Sequence, residues 1–273
     1  MKKKWLLSLI LAVTLAAGCG NNTTNTANQN EEIEEAAIET EVQESEMPEQ
    51  VEPAETEQLI DVADTEGESA KASYQINMVN LKKDDLRDIN YPQITNWSNE
   101  EKQEEWNAVF EQVAKTAVDG LGEKDEVTVK FNVQEQNDKF LSLTCESYYS
   151  YDGAAHPSAS MVSYNINMQT GEKIKFANMA DPKQTATNLF ANKKCKVLTD
   201  TEVTVKDILE YNFIWMEPTE EALATSLSHF DSDFSEYGDN ETMGYSYVHD
   251  GKVCLIFYVN HAMGDYVVVQ LDA

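Results

Sequence analysis

Residues 126–133 read Glu-Val-Thr-Val-Lys-Phe-Asn-Val, so that polar and apolar side chains alternate strictly. This period of two is typical of a β-strand that buries one face and exposes the other. Residues 140–151 and 161–168 continue in the same manner. Together these stretches predict strands of an antiparallel sheet, and the rest of the fold is built outward from them.

A long helix is predicted immediately before these strands. Residues 98–118 carry apolar side chains three and four positions apart, which is the period of an amphipathic helix. Ser98 followed by Glu101 is a capping-box signature for the helix start, and Gly120 and Gly122 are placed to end it. The apolar face consists of Trp106, Val109, Phe110, Val113, Ala117 and Leu121.

The remainder of residues 71–273 contains further helix and strand signals. Thr204 and Thr219 stand at helix starts within a helical region over 182–230, and the dipeptide at 250–251 is an Asp-Gly hairpin turn. Helices and strands form separate groups, so we predict an α+β domain. It has an antiparallel sheet, a long amphipathic helix and two or three shorter helices. Further strands are predicted over 74–79, 173–176, 244–248, 252–259 and 266–271.

The first 19 residues have the layout of a secretory signal peptide. Lysines at 2–4 are followed by an apolar run over 5–15 and by small residues that lead into Cys19. This layout resembles that of bacterial lipoproteins, in which the cysteine receives a lipid. We expect residues 1–18 to be the signal peptide and Cys19 the lipidation site, so that the protein is extracytoplasmic and membrane-anchored. Ordinary secretion with cleavage near Gly18 and a retained membrane anchor are the alternatives.

Acidic residues dominate the chain, whose formal net charge is -29 at pH 7. Residues 19–70 contain sixteen Asp and Glu and no Lys or Arg. Such a composition buries too little apolar surface to fold, so we expect a disordered tether. The charge repels the phosphates of nucleic acid, and we expect no nucleic-acid partner. It favours encounters with cationic partners, although it can equally serve solubility alone.

No cofactor and no metal site is predicted. The four histidines lack the i, i+4 spacing that places two ligands on one helix face. The acidic residues of 231–239 lack the order of an EF-hand calcium loop and are predicted to be solvated. If Cys19 is lipidated, Cys145, Cys195 and Cys254 remain, an odd number without a redox or zinc spacing. The apolar strand-like surroundings of Cys145 and Cys254 favour buried free thiols.

The stretch 148–157, Tyr-Tyr-Ser-Tyr-Asp-Gly-Ala-Ala-His-Pro, joins an aromatic strand end to a loop of small residues. Tyrosines offer flat contact surfaces with a polar tip, and small residues let a ligand approach the backbone. We therefore take Tyr149, Tyr151, Gly153 and His156 as candidate ligand-binding residues for a sugar or a protein loop. In a purely structural interpretation, the same residues form a turn, stack together and tie down the loop.

These residues also carry a family resemblance. The stretch 151–157, followed by Ser-Tyr-Asn-Ile-Asn at 163–167 and Thr-Gly-Glu-Lys-Ile at 170–174, resembles a bacterial extracytoplasmic family, domain of unknown function 3298. The family's pattern is Gly-Gly-Ala-His, a strand and a Thr-Gly-Lys turn, and Ala154 stands in place of the second glycine. Residues 257–264 resemble its closing pattern of Tyr, Ala and Gly.

The resemblance divides the domain into two parts. Residues 71–135 are similar to the domain that precedes this family's domain in a peptidoglycan deacetylase and in lysozyme-sensing anti-sigma factors, and residues 136–273 resemble the family itself. The deacetylase catalyses through a separate domain with an Asp and His metal site, and the anti-sigma factors need a cytoplasmic segment. We find neither feature in this sequence and expect neither activity.

The sequence therefore predicts a non-catalytic extracytoplasmic lipoprotein that binds peptidoglycan or a cationic envelope protein such as lysozyme. No catalytic residue is assigned. One alternative is a cell-wall hydrolase or deacetylase-like enzyme that uses His156 with an acid such as Asp152. Another is a structural or chaperone-like lipoprotein without a small ligand.

Overall fold

The computed structural model describes residues 72–199, 202–214, 217–238 and 241–272. The predicted signal peptide, Cys19 and the acidic tether lie outside the described residues. The strands are β1 (Gln75–Lys83), β2 (Arg87–Thr95), β3 (Glu126–Gln136), β4 (Phe140–Ser150), β5 (Ser158–Asn167), β6 (Cys195–Val197), β7 (Gly244–His249), β8 (Lys252–Tyr258) and β9 (Tyr266–Leu271). The α-helices are α1 (Glu100–Thr116), α2 (Pro182–Phe190), α3 (Val205–Asn212) and α4 (Glu220–Ser228). Short 3-10 turns lie at Phe176–Asn178, Phe234–Glu236 and His261–Met263.

Strands β1 to β5 form a five-stranded sheet in chain order. Neighbouring strands are antiparallel, except that 87–89 of β2 pair in parallel with 127–129 of β3. Helix α1 makes the crossover that a parallel connection requires and packs on one face of this sheet. Val129 and Phe131 of β3 are buried on that face, and Lys130 between them is exposed. The predicted alternation is confirmed as far as Phe131. It is wrong at Val133, which is 39% exposed and lies where the register with β4 shifts.

Strands β6 to β9 form a second, antiparallel sheet in the order β6-β9-β8-β7. One face buries residues such as Leu255 and Phe257 against α2, α3 and α4. The opposite face turns toward the first sheet, where Tyr247 and Ile256 cluster with Met161 of β5. The fold is therefore α+β, with α1, two sheets and the remaining helices stacked in four layers.

The predicted helices are confirmed, with one correction at a terminus. Helix α1 is capped by Asn99 and not by Ser98, because the Asn99 side chain accepts a hydrogen bond from the Lys102 N–H at 3.2 Å. Asn and Ser are equally good caps, so the pattern does not distinguish them. Thr204 and Thr219 cap α3 and α4 as predicted. None of the helices described here has the length and apolar character that a membrane span needs.

Three strand assignments differ from the expectation, because β2 and β6 are not among the predicted strands and one predicted strand does not form. The pattern does not predict β2, because Pro92 cannot donate to a strand ladder. The fold accommodates Pro92 because β2 pairs with β3 only as far as Ile89. The strand predicted over 173–176 is wrong, since Lys173 makes a single bridge to Ile166 and a 3-10 turn follows.

The prediction of buried free thiols is confirmed for Cys145 and Cys254. Cys145, Cys195 and Cys254 are free, and Cys145 and Cys254 are buried. Burial raises the pKa of Cys145 to about 12 and that of Cys254 to about 11. Both thiols therefore stay protonated at neutral pH and are poor nucleophiles.

Candidate functional site

The candidate residues lie on the loop between β4 and β5 and on the strand end before it. Tyr149 in β4 packs partly buried against the core under α1. Tyr151 stacks on it, with ring centroids 6.1 Å apart and ring planes within 9°. Because Tyr151 is 40% exposed, the stacked pair presents an aromatic surface to solvent.

A carboxylate holds the first half of this loop. Asp125, between α1 and β3, accepts the N–H of Asp152 at 2.8 Å and the N–H of Gly122 at 2.6 Å. These hydrogen bonds favour the ionised carboxylate and lower the pKa of Asp125 below its usual value. The side chain of Asp152 points away and pairs with Lys124 at 3.3 Å. The start of the loop is thus fixed to the segment that leads into β3.

The second half of the loop lies against the second sheet. The ring of His156 stacks on the ring of His261, with centroids 4.0 Å apart and planes within 10°. His261 lies in the turn between β8 and β9, and its Nδ1 is 3.2 Å from each carboxylate oxygen of Asp265. Nδ1 of His156 is 3.2 Å from the Pro157 carbonyl oxygen. The loop stretch and the closing stretch that carry the family resemblance therefore meet at this pair of rings.

Asp265 also closes the edge of the first sheet. Its Oδ2 accepts the N–H of Ala159 in the edge strand β5 at 2.9 Å. Tyr258 of β8 donates its hydroxyl to the Met161 carbonyl of the same strand at 3.3 Å. An open strand edge is a template for unwanted pairing, and here the second sheet supplies partners for it. The turn that carries His261 is therefore part of the junction between the sheets.

The glycine of this loop is required by the backbone. Gly153 has a φ of +85°, in the left-handed region that favours glycine. A Cβ at this position would meet open space, so the requirement is one of conformation. Ala154 has no positive φ, and its N–H donates to the Tyr151 carbonyl at 3.0 Å. An alanine consequently fits where the family pattern has its second glycine.

The structure places the candidate residues in two groups. Tyr149 and Tyr151 stack on the α1 side of the first sheet, whereas His156 contacts His261. In the sequence, only the family resemblance relates His261 to this loop. His156 and Asp152, the pair of the hydrolase alternative, have separate partners. In the part of the chain described here, no group of three or more His, Cys, Asp or Glu side chains is positioned to hold a metal ion.

A buried polar network between the two sheets was not predicted. Asp231, expected to lie in a solvated loop, is only 1% exposed. It follows α4 with a φ of 67°, a conformation that Asp tolerates. Its Oδ1 accepts the Ser246 N–H at 2.8 Å and the Ser163 hydroxyl at 3.2 Å, and its Oδ2 accepts the Ser246 hydroxyl.

The network continues onto β4 and β5. The Ser163 hydroxyl and the Asn165 amide both donate to the Ser246 carbonyl, at 2.5 and 2.7 Å. Ser142 donates to the Asn165 side chain at 2.7 Å and accepts the Val248 N–H at 3.0 Å. Because β7 is an edge strand of the second sheet, its outward backbone groups bond to side chains of the first sheet.

Burial controls the protonation of this network. It raises the pKa of Asp231 to about 6, although the hydrogen bonds from Ser246 and the charge of Lys173 favour the ionised form. Burial, with a smaller contribution from Asp231, also raises the pKa of Tyr245 to about 12. No local pattern distinguishes Asp231 from the acids around it, and only the fold brings Ser163 and Ser246 to it.

Among the comparisons with known proteins, matches are found with solved structures. No protein-family model and no curated protein matches the chain. Structural neighbours are proteins of the domain of unknown function 3298 family. One, from Pseudomonas aeruginosa PAO1, is 13% identical over 46% of this chain and 70% of its own, with a TM-score of 0.31. Another, from Bacteroides fragilis NCTC 9343, is 14% identical over 75% and 91%, with a TM-score of 0.38. The lipoprotein character and the deacetylase-like N-terminal part stay predictions.

Proposed function

We propose that this protein is a non-catalytic extracytoplasmic binding module whose β4–β5 loop contacts a cationic envelope protein such as lysozyme, or peptidoglycan. One observation carries the proposal: the stacked pair of Tyr149 and Tyr151, with Tyr151 40% exposed. Rigid, half-exposed tyrosines supply contact area at low entropic cost on binding.

Preorganisation of the loop supports the same proposal. Asp125 fixes the backbone at Asp152, and Asp265 fixes the backbone at Ala159. A loop held at both ends loses little conformational entropy when a partner binds. The exposed tyrosine therefore has a defined position before a ligand arrives.

Charge favours a cationic protein over neutral glycan as the partner. The chain has a formal net charge of -29, and such a field raises the association rate of a basic protein. Salt screens this attraction, since the Debye length is about 10 Å at 0.1 M ionic strength. Binding to lysozyme should therefore weaken with added salt, whereas binding to peptidoglycan fragments should change little.

The proposal includes a lipid anchor on Cys19 that holds the module outside the cytoplasm at the membrane. Its support is the run of small residues before Cys19 and the polar sequence after it. Metabolic labelling with a palmitate analogue tests this part separately. Labelling should be lost in Cys19→Ala, and equal labelling of the variant would contradict the anchor.

The binding test uses a matched pair of tyrosines. Tyr148 and Tyr151 are 41% and 40% exposed, but only Tyr151 belongs to the stacked pair. We expect Tyr151→Ala to weaken binding of lysozyme or wall fragments at least tenfold in a calorimetric titration, because exposed aromatic anchors carry much of the energy of an interface. Tyr148→Ala should leave affinity within a factor of about two. Equal effects of both variants, or no binding of either partner, would exclude the loop as the contact surface.

The alternative function, hydrolysis of the cell wall, predicts a different experimental result. If the chain cleaves or deacetylates peptidoglycan, turnover should be measurable and should disappear in His156→Ala. The contacts of His156 with His261 and Pro157 do not pair it with an acid, which is why we favour binding.

A further inference from the structure

The loop that carries Tyr151 also exposes a carboxylate. Asp152 follows Tyr151 in the chain, and its side chain is 61% exposed. Its backbone is held in place, because its N–H donates to Asp125 at 2.8 Å. Its carboxylate pairs with the ammonium of Lys124 at 3.3 Å. Consecutive residues of one loop therefore present a flat ring and a negative charge to solvent.

The ion pair shows that this carboxylate accepts a cation. The Lys124 side chain is 78% exposed, and a pair so open to solvent contributes little to stability. A cation from a binding partner can therefore displace Lys124 at small cost. The local charge attracts such a cation, since residues 123–126 are Glu-Lys-Asp-Glu and Glu126 lies opposite Ser150 in the register of β3 and β4.

The tyrosine stack adds a preference for a flat cation. Tyr149 occupies one side of the Tyr151 ring, with the ring planes within 9° of each other. A further flat group can therefore extend the stack on the other side of Tyr151. A guanidinium is planar, stacks on aromatic faces and donates to both oxygens of a carboxylate. A lysine ammonium is compact, strongly hydrated and without a flat face.

We infer that Tyr151 and Asp152 together bind an arginine side chain of a basic partner protein. The guanidinium lies on the outer face of the Tyr151 ring, and its N–H groups donate to the Asp152 carboxylate in place of Lys124. This inference rests on the proposed function and names the chemical group that the β4–β5 loop recognises. A neutral glycan can stack on the ring, but it lacks the charge that the carboxylate attracts.

The probe is a peptide with one arginine, acetyl-Gly-Arg-Gly-amide, titrated into the full-length chain. A single cation is needed because the sixteen acids of residues 19–70 would attract a polycationic peptide without specificity. Nuclear magnetic resonance locates the binding through the amide shifts of residues 151–154. The same peptide with lysine should bind several-fold more weakly. The peptide with citrulline, which has the shape of arginine without its charge, should bind at least fivefold more weakly.

A second lysine–aspartate pair supplies matched controls. Lys252 and Asp272 are also 3.3 Å apart and half-exposed, and they lie at the end of β8 and β9 opposite the His261 turn. Asp152→Asn should weaken binding of the arginine peptide at least fivefold, whereas Asp272→Asn makes the same change of net charge and should not. Lys124→Gln removes the competing ammonium and should strengthen binding about twofold to threefold, whereas Lys252→Gln should not.

The ring is tested by two further variants. Tyr151→Leu should weaken arginine binding more than Tyr151→Phe, because only phenylalanine keeps an aromatic face. Equal binding of the arginine and citrulline peptides, or equal effects of Asp152→Asn and Asp272→Asn, would overturn the inference. So would loop shifts that an N-acetylglucosamine oligomer causes and the arginine peptide does not, since the loop would then be a glycan site. Amide spectra unchanged outside the loop show that each variant is folded.

The outcome is separable from that of the proposed function. If Tyr151→Ala weakens binding of lysozyme or wall fragments but the arginine peptide does not bind at the loop, the proposed function stands and this inference fails. If the arginine peptide binds in the manner described but neither lysozyme nor wall fragments bind, the arginine site stands and the proposed partners are wrong.

Discussion

Different interactions stabilise the two faces of the first sheet. On the face that packs under α1, Phe110, Phe131 and Tyr164 form an aromatic cluster with ring centroids 5.4 to 5.9 Å apart. On the opposite face, residues such as Ser142 and Asn165 are buried and hydrogen-bonded to β7. The first face is stabilised mainly by the removal of apolar surface from water, and this hydrophobic effect does not depend on the orientation of the groups. The second depends on specific donors and acceptors.

This difference separates the roles of the faces. A core of apolar residues accepts many arrangements of similar volume, so the α1 face supplies stability more than precise position. The polar face costs free energy wherever a buried group lacks its partner. It therefore defines where β7, and with it the second sheet, sits on the first. That position in turn places His261 against His156.

The largest effect is expected from emptying the aromatic cluster. Phe110 is fully buried between α1 and the sheet, so Phe110→Ala should lower the free energy of unfolding by about 3–5 kcal/mol. Urea unfolding of the full-length chain measures it. Phe234, which is 63% exposed, provides the control, and Phe234→Ala should change stability by less than about 0.5 kcal/mol. Similar losses in both variants would mean that α1 does not pack as described.

The next effect depends on pH and belongs to the polar face. Because the pKa of Asp231 is about 6 in the folded state and 3.8 is its ordinary value, the folded chain binds more protons between pH 4 and pH 6. The stabilisation that the protonated Asp231 carboxyl contributes is therefore fully present below pH 4. It decreases as the pH rises to 6, by up to about 3 kcal/mol. Asp231→Asn removes this titration. The stability difference, variant minus parent, should rise across that window in urea unfolding at pH 4, 5, 6 and 7.

The other carboxylates provide a check on the sign of this effect. Hydrogen bonds lower the pKa of Asp125 and Asp207, so their stabilisation is lost as pH falls, the reverse of Asp231. They are common to parent and variant and cancel in the difference. Parallel pH profiles for the two proteins would show that Asp231 does not change its pKa on folding.

A somewhat smaller loss is expected when the network loses its central amide. Asn165 is 1% exposed and bonds to both Ser142 and Ser246. Asn165→Ala should destabilise the chain by about 1–3 kcal/mol, because Ser142 loses its acceptor. Asn77→Ala is the control, since its bond to Thr95 is at the surface and should contribute little. A loss no larger for Asn165 than for Asn77 would remove the distinction between the two faces.

The same division decides what sequence reasoning can find. Periodicity identifies β3 and α1, because apolar burial leaves a mark at every second or every third to fourth residue. A polar network leaves no such mark: Ser163, Asp231 and Ser246 are far apart in the chain and ordinary in composition. The aromatic and small residues of the candidate loop identify it in the sequence. The contact of His156 with His261 cannot be predicted in this way, because it forms only when the chain folds. Pro92 shows the reverse case, in which a local signal against a strand is overridden by the pairing of β2 with β1.

The smallest expected effect compares two adjacent hydroxyls on β5. Ser163 faces β7 and donates to Ser246, whereas Tyr164 faces α1, where its ring stacks with Phe131. In the described ranges the Tyr164 hydroxyl has no hydrogen-bond partner. Tyr164→Phe should therefore stay within about 0.5 kcal/mol of the parent chain, while Ser163→Ala should cost about 1 kcal/mol or more, since it removes a buried donor from the network.

This pair is the sharpest test of the comparison, because each variant deletes one hydroxyl from neighbouring positions of one strand. The ring contacts of Tyr164 survive the change to Phe, so only directional bonding is tested. In urea unfolding at pH 7, the free energy of unfolding should be lower for Ser163→Ala than for Tyr164→Phe. If Tyr164→Phe is the more destabilising, a hydroxyl on the α1 face takes part in bonding, and the apolar description of that face is wrong. If Ser163→Ala is neutral, the hydrogen bonds to β7 are exchangeable with water, and they do not determine where the second sheet lies.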